Sequence, residues 1–403
     1  MRHSYHLLGY FLLSFGLATT LYWGSASYFQ ATSTPDVAYF DQLAAAFLAG
    51  RTELLAPPST HDLTQFRGRW YVPFPPLPAL LMMPAVALVG LAGLNTVFFA
   101  TLFGGLNVAL VLLLLLALCA RGWSQLGLAD NLWLTLLFGL GSVHWYMATI
   151  GSVWFVAQIC TVTFLALAAW LAVARNQAWL AGTALALAML GRPTVALTWP
   201  LLLGVAAMHI HTQHDRLVWR SWTGWAVRSL IPPLVAVGGL LYYNQIRFAD
   251  PFDFGYLTAN VAQDLAADLH TYGQFHWHYL PKNFWAMLLA GPYWNEQINF
   301  WEADGQGMSL FLTTPALVLL GRARQRTPLV IGAWLALGLV MLPLLLYYNT
   351  GWWQFGYRFS LDFMVPIMVL LATAAGTRLS WPLRGLILVG VAVNLYGLVW
   401  WHG

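Results

Sequence analysis

The sequence predicts an all-α integral membrane protein of about eleven transmembrane helices with a helical first outer loop, and three observations predict it. Of 403 residues, 60% are hydrophobic and only 8% charged, against roughly 25% charged in a soluble domain. Apolar runs of about twenty residues, the length a spanning helix needs, recur along the chain. Arginines collect in the gaps between alternate runs, which sets an orientation. The same figures exclude intrinsic disorder and a disulfide scaffold. The two cysteines, Cys119 and Cys160, sit in apolar runs and offer no Cys-based zinc site. The net charge of +4 comes from basic residues scattered through short loops, so no nucleic-acid partner is expected.

Candidate spans cover roughly 7–29, 94–120, 130–149, 153–174, 178–191, 193–210, 229–247, 307–321, 328–348, 358–377 and 381–401. The first ends in small residues, Ser25-Ala26-Ser27, that suit a processing site, but its length favours an uncleaved anchor. The stretch 74–92 runs from Phe74-Pro75-Pro76-Leu77-Pro78 through Pro84 to Leu91. Proline removes helix donors, so this segment suits a surface or re-entrant helix better than a full span. Leaving it uncrossed puts Arg2, Arg121, Arg175, Arg216/Arg220/Arg228, Arg322/Arg324/Arg326 and Arg378/Arg384 on one side, read as cytoplasmic. The N-terminus is then inside and the C-terminus outside. The chain reads as one polytopic domain, 1–403, with outer segments at 30–93 and 248–306.

Those two segments hold most of the acids: Asp36, Asp41, Glu53 and Asp62, then Asp250, Asp253, Asp264, Asp268, Glu296, Glu302 and Asp304. Carboxylate chemistry therefore belongs to the outer face. Within residues 33–51, Thr34 suits an N-cap, Pro35 the first helical position and Asp36 the first turn. Val37, Phe40, Ala44 and Phe47 recur at helical spacing, giving a short amphipathic helix whose apolar stripe is expected on the membrane surface. Asp36 either meets the helix dipole or serves chemistry at the headgroup level. Asp41 points well away from it, onto a solvated face. Arg67 and Arg69 precede a proline-stiffened aromatic strip and are placed to hold a phosphate.

A first span, then Asp36-Val-Ala-Tyr39-Phe-Asp41 running to Gly50-Arg51, then Gly68-Arg69-Trp-Tyr71-Val-Pro-Phe-Pro75-Pro76-Leu77, resembles the GT-C superfamily. These are multi-span glycosyltransferases that use polyprenyl-phosphate-linked sugars. The look is of the branch with bacterial aminoarabinose transferases and protein O-mannosyltransferases. Leu190-Gly191-Arg192-Pro193, Tyr243-Asn244-Gln245-Ile246-Arg247-Phe248 and Gly351-Trp352-Trp353-Gln354-Phe355-Gly356-Tyr357-Arg358-Phe359 resemble further stretches of that group. Val37 departs from the pattern, since it stands where a second acid often follows the first. That puts in doubt a metal held by adjacent acids, and the need for a divalent cation is left open.

The resemblance implies inverting sugar transfer, from a polyprenyl-phosphate donor to a lipid, glycan or protein acceptor, on the extracytoplasmic face of a bacterial-type plasma membrane. Asp36 is the candidate base or acceptor-orienting carboxylate. Arg192, Arg247 and Arg358, with Arg69 and Lys282 behind them, are candidates for the donor phosphate. Tyr39, Asp41, Asp62 and Tyr357 join them as substrate-binding candidates. Arg358 and Asp362 are four apart and are expected to pair. His276 and His278 alternate on an extended segment, a weak metal pattern beside the solvated reading. A flippase for lipid-linked sugars or a non-catalytic assembly subunit are the competing classes, but no internal repeat of the transporter kind is visible.

Overall fold

The computed structural model describes the backbone of residues 2–403 and side chains from His6 onward, so the Arg2 side chain lies outside the described residues. The chain is a bundle of apolar helices. In order these are α1 (Arg2–Tyr28), α2 (Phe40–Leu48), α3 (Leu77–Val89), α4 (Thr96–Ala120), α5 (Leu128–Gly139), α6 (His144–Met147), α7 (Val153–Trp170), α8 (Ala178–Met189), α9 (Trp199–His214), α10 (Trp219–Phe248), α11 (Gln263–Tyr272), α12 (Leu280–Phe284), α13 (Leu310–Thr313), α14 (Pro328–Leu345), α15 (Met364–Ala374) and α16 (Trp381–His402). Two small antiparallel hairpins, β1 (Thr64–Phe66) with β2 (Arg69–Tyr71) and β3 (Tyr293–Asn295) with β4 (Phe300–Glu302), belong to the two long loops.

Among the described residues, seven of the expected passes are helices long and apolar enough to cross a membrane, two of them counting the 3-10 or π turn that continues the α-helix. The other four, at 130–149, 178–191, 307–321 and 358–377, are shorter or broken. Gly141 and Ser142 separate α5 from α6, and α8 stops before Gly191-Arg192-Pro193. A 3-10 helix, Pro315–Arg322, continues α13, and another, Arg358–Phe363, leads into α15. Short passes survive inside a bundle because neighbouring protein, rather than lipid, satisfies the freed backbone groups. Ser309 caps α13 by accepting from Phe311 N–H, and Asn394 Nδ2 donates to the Thr313 carbonyl. The stretch around α3 is a thirteen-residue helix with Pro84 inside. At 1.5 Å per residue it is about 20 Å long, well short of a bilayer core.

The arginine loops converge at one end of the bundle. Arg121 donates to the carbonyls of Val173 and Ala174, Ser124 Oγ to Ala372, and Gln325 Nε2 to Thr373. Arg384 pairs with Asp130 at 2.8 Å. The long loops meet at the opposite end, where Asn95 Nδ2 donates to Thr32 O, Leu77 N–H to Leu190 O and Thr64 Oγ1 to Gly255 O. Helices approach closely where both sides are small. A Cβ on Gly332 of α14 would lie 2.9 Å from Gly204 Cα of α9, so only hydrogens let those backbones touch.

The first outer helix departs from its sequence pattern. It starts at Phe40, not after Thr34, because tertiary bonds claim the chain ahead of it. Thr34 Oγ1 accepts from Thr96 N–H, and the Val37 carbonyl accepts from Val153 N–H. These anchor the segment to the starts of α4 and α7, and Tyr39 turns into the helix with φ of 50°. The apolar stripe faces protein, not the membrane surface: Phe40 and Ala44 are fully buried in a cluster with α3 and α7.

Candidate functional site

Beneath the long loops lies a cavity of about 550 Å³, which brings Asp62, Trp154, Arg192, Tyr256, Tyr348 and Arg358 to one wall or another. Asp62 sits just before β1 with φ of 58°, and its N–H donates to Asn260 O while Asn260 N–H donates to Leu63 O. The two long loops are thus joined at this carboxylate. Trp154 Nε1, at the first turn of α7, donates to Asp62 Oδ2 at 2.9 Å, and His61 Nε2 stands 4.0 Å from Oδ1. Burial pushes the Asp62 carboxyl above its ordinary value; His61, the Trp154 hydrogen bond and Arg358 pull it back only in part.

The cationic side comes from two broken passes. Arg192 stands at the turn between α8 and Pro193. Its Nε donates to Asp362 Oδ2 at 2.7 Å and its guanidinium lies over the Phe359 ring. That turn closes tightly because Gly191 rests on Thr161 Oγ1, where a Cβ would collide. Arg358 opens the 3-10 helix before α15, donating from Nε to Gly351 O at 2.8 Å and from Nη1 to Gln158 Oε1 at 3.2 Å. Gln158 Nε2 in turn donates to Asp362 Oδ1. Asp362, fully buried, therefore pairs with Arg192, and Arg358 reaches it through Gln158, which replaces the direct Arg358–Asp362 pair expected from spacing. Among the described residues, Arg192 Nη1 and Nη2 and Arg358 Nη2 keep no hydrogen-bond partner, and both side chains line the cavity. Leu197, Val237 and Leu241 extend the wall as an apolar face.

The remaining arginine candidates lie elsewhere. Arg247 is buried away from the cavity lining, donating to Val72 O and Asn244 Oδ1 and stacked over Tyr243 and Phe248. It ties the end of α10 to the first loop. Arg69 pairs with Glu53 at 3.1 Å on the surface. Lys282 is exposed on α12. Tyr357 is fully buried in the bundle core against Phe359 and does not line the cavity.

A second, smaller cavity of about 400 Å³ is lined by Asp36, Asp41, Gln42, Arg51 and Leu54 among others. Asp36 occupies a turn in which Ala38 N–H donates to Pro35 O, ahead of the helix and not in its first turn. Asp41 is only 5% exposed, contrary to the solvated face expected of it, because α2 packs against α3 and the loop. Its Oδ1 accepts from Gln42 N–H, and burial raises its carboxyl above the ordinary value. Tyr39 stands between the two cavities, its hydroxyl donating to His61 O. Burial raises that hydroxyl first; a hydrogen bond with Ser59 lowers it, and the charges of Asp62 and Asp36 add to the rise. Asp36 and the two cavity arginines are thus not brought to one site, whereas Asp62 and those arginines are.

His278 stacks on Tyr272 at 4.0 Å between ring centres, and its N–H donates to His276 Nδ1. Among the described residues no group of three His, Cys, Asp or Glu side chains comes together around a metal-sized gap. Sequence reasoning missed Gln158, Trp154 and Tyr256. Gln158 had a signal, being an amide in the middle of an apolar run, where polar groups are costly and rarely idle.

No family model matches the chain, and no curated protein matches it. Among solved structures the chain is similar to ArnT from Cupriavidus metallidurans, in a crystal structure described as bound to undecaprenyl phosphate. Identity is 15%, the TM-score 0.47, and the match covers 96% of this chain and 63% of that one. The chain therefore spans less than two thirds of that protein's length.

Proposed function

We propose that the chain is a glycosyltransferase of the GT-C kind, moving a sugar from a polyprenyl-phosphate donor to an acceptor on the extracytoplasmic face. The observation that carries this reading is one cavity in which Arg192 and Arg358, with spare guanidinium donors, face Asp62 beside an apolar wall. Spare arginine donors suit a phosphate, bidentate and charge-assisted. The apolar face at Leu197, Val237 and Leu241 suits an isoprenoid tail, and Leu197 and Val237 are exposed on the outside of the bundle.

Asp62 takes the proton of the acceptor hydroxyl or amine as that atom attacks the anomeric carbon. The bond from that carbon to the phosphate oxygen breaks, and its electron pair leaves with the phosphate, whose growing charge the two arginines meet. A carboxyl raised by burial is the better base near neutrality. Asp36, across Tyr39, orients the acceptor from the smaller cavity.

The test uses purified protein and a polyprenyl-phosphate sugar. Asp62→Asn is expected to lower transfer by roughly 10²–10⁴-fold while polyprenyl phosphate still binds. Transfer that survives Asp62→Asn but is abolished by Asp36→Asn moves the base to Asp36. If neither change affects transfer, the enzymatic reading falls. Mass spectrometry of copurified lipids names the donor.

A further inference from the structure

We propose that the arginine end of the bundle carries a binding site for an anionic phospholipid, separate from the donor cavity and independent of the reading above. A third cavity, of about 430 Å³, runs beside the broken pass formed by α13 and the 3-10 helix Pro315–Arg322. Its floor is apolar, with Leu317, Leu337 and Ile367 almost fully buried. Its rim is open to the outside of the bundle, where Phe311 is 44% and Trp334 39% exposed. The Trp334 Nε1–H is already committed to the Ala323 carbonyl, so the rim adds no free polar group there.

A single charged side chain lines this groove, Arg324, at the end where the arginine loops converge. Its Nε donates to Gly321 O at 2.8 Å, which fixes the guanidinium and leaves Nη1 and Nη2 unpartnered among the described residues. Arg322 and Arg326 flank it, and both are exposed. Of the acids at this end, Asp130 is held by Arg384. The occupant this arrangement fits is a lipid whose acyl chain fills the groove and whose phosphate sits at Arg324. Basic clusters between helices at the cytoplasmic boundary attract anionic headgroups, at about 1 kcal/mol per arginine. The origin of the groove is local: a 3-10 pass is narrower than an α-helical one, so α14 and α15 are left with an uncovered seam.

The test is lipid binding to delipidated protein in detergent, read by native mass spectrometry with phosphatidylglycerol against phosphatidylcholine of the same chain length. Wild type is expected to prefer phosphatidylglycerol several-fold. Arg324→Gln should weaken phosphatidylglycerol binding about fivefold and leave phosphatidylcholine unchanged. Gly321→Leu should weaken both, since Gly321 lines the groove and nothing stands within 4 Å of the place its Cβ would take. A conserved thermal midpoint checks that both variants fold, and transfer from the polyprenyl donor should be unaltered. Equal binding of the two lipids by wild type, a preference that survives Arg324→Gln, or binding unchanged by Gly321→Leu would overturn the site.

Discussion

The two cavities on either side of Tyr39 are close in size and each holds a carboxylate, yet they are chemically unlike. The larger is lined by Asp62 together with two arginines whose outer donors are uncommitted, and it continues into an apolar wall. The smaller is lined by Asp36, Asp41 and Arg51, all of the first loop. The larger is built from at least six separate parts of the chain, including two broken passes, whereas the smaller comes almost wholly from residues 34–58. A phosphate-carrying donor needs the first kind of surroundings; an acceptor that only has to be aimed can use the second.

The largest break in that comparison is at the ion pair under the larger cavity. Arg192→Gln leaves Asp362 buried without its cation, which costs about 3–5 kcal/mol. Denaturation in detergent should show that loss, and transfer should vanish with it. The double variant with Asp362→Asn should regain most of the stability while remaining inactive, separating the fold from the chemistry. Next in size, Asp36→Asn should raise the acceptor KM about tenfold with kcat changed far less, as expected if it aims rather than reacts. An equal fall in kcat would assign it to the chemical step.

A smaller effect concerns pH. Asp62 must be ionised to accept a proton, so transfer is lost as pH falls through its folded-state pKa, which lies above the ordinary 3.8. The charge of His61 lowers that value, so His61→Gln should shift the acid limb of the pH–rate profile to higher pH; no shift, or a shift downward, would remove His61 from the site's electrostatics. Smallest of all, Arg69→Ala breaks only a surface pair with Glu53. It should cost under about 1 kcal/mol and leave donor affinity unchanged, where a drop in affinity would return Arg69 to the phosphate.

The membrane class was legible from composition, and the passes from runs of apolar residues, because lipid imposes a long-range rule on every segment. Helix breaks were less legible. The apolar runs at 178–191 and 307–321 look like spans, but nothing local says where neighbouring chains take over the backbone hydrogen bonds. The arginine candidates show the same limit. All four carry one charge and are expected near the outer boundary, yet Arg192 and Arg358 reach a cavity while Arg247 is consumed by Val72 and Asn244. That division depends on partners as far away as residue 72 in the chain. Thr34 is the clearest local misreading, since a cap residue by pattern is drawn off by Thr96.

The absent side chain at Gly191 has a consequence for how this surface can vary. Even a methyl group there would press on Thr161, so the turn that carries Arg192 to its buried carboxylate would have to shift. Tolerance at this position is therefore set by the room between two passes rather than by contact with any substrate. A change as slight as Gly191→Ala would act on the Arg192–Asp362 pair from behind.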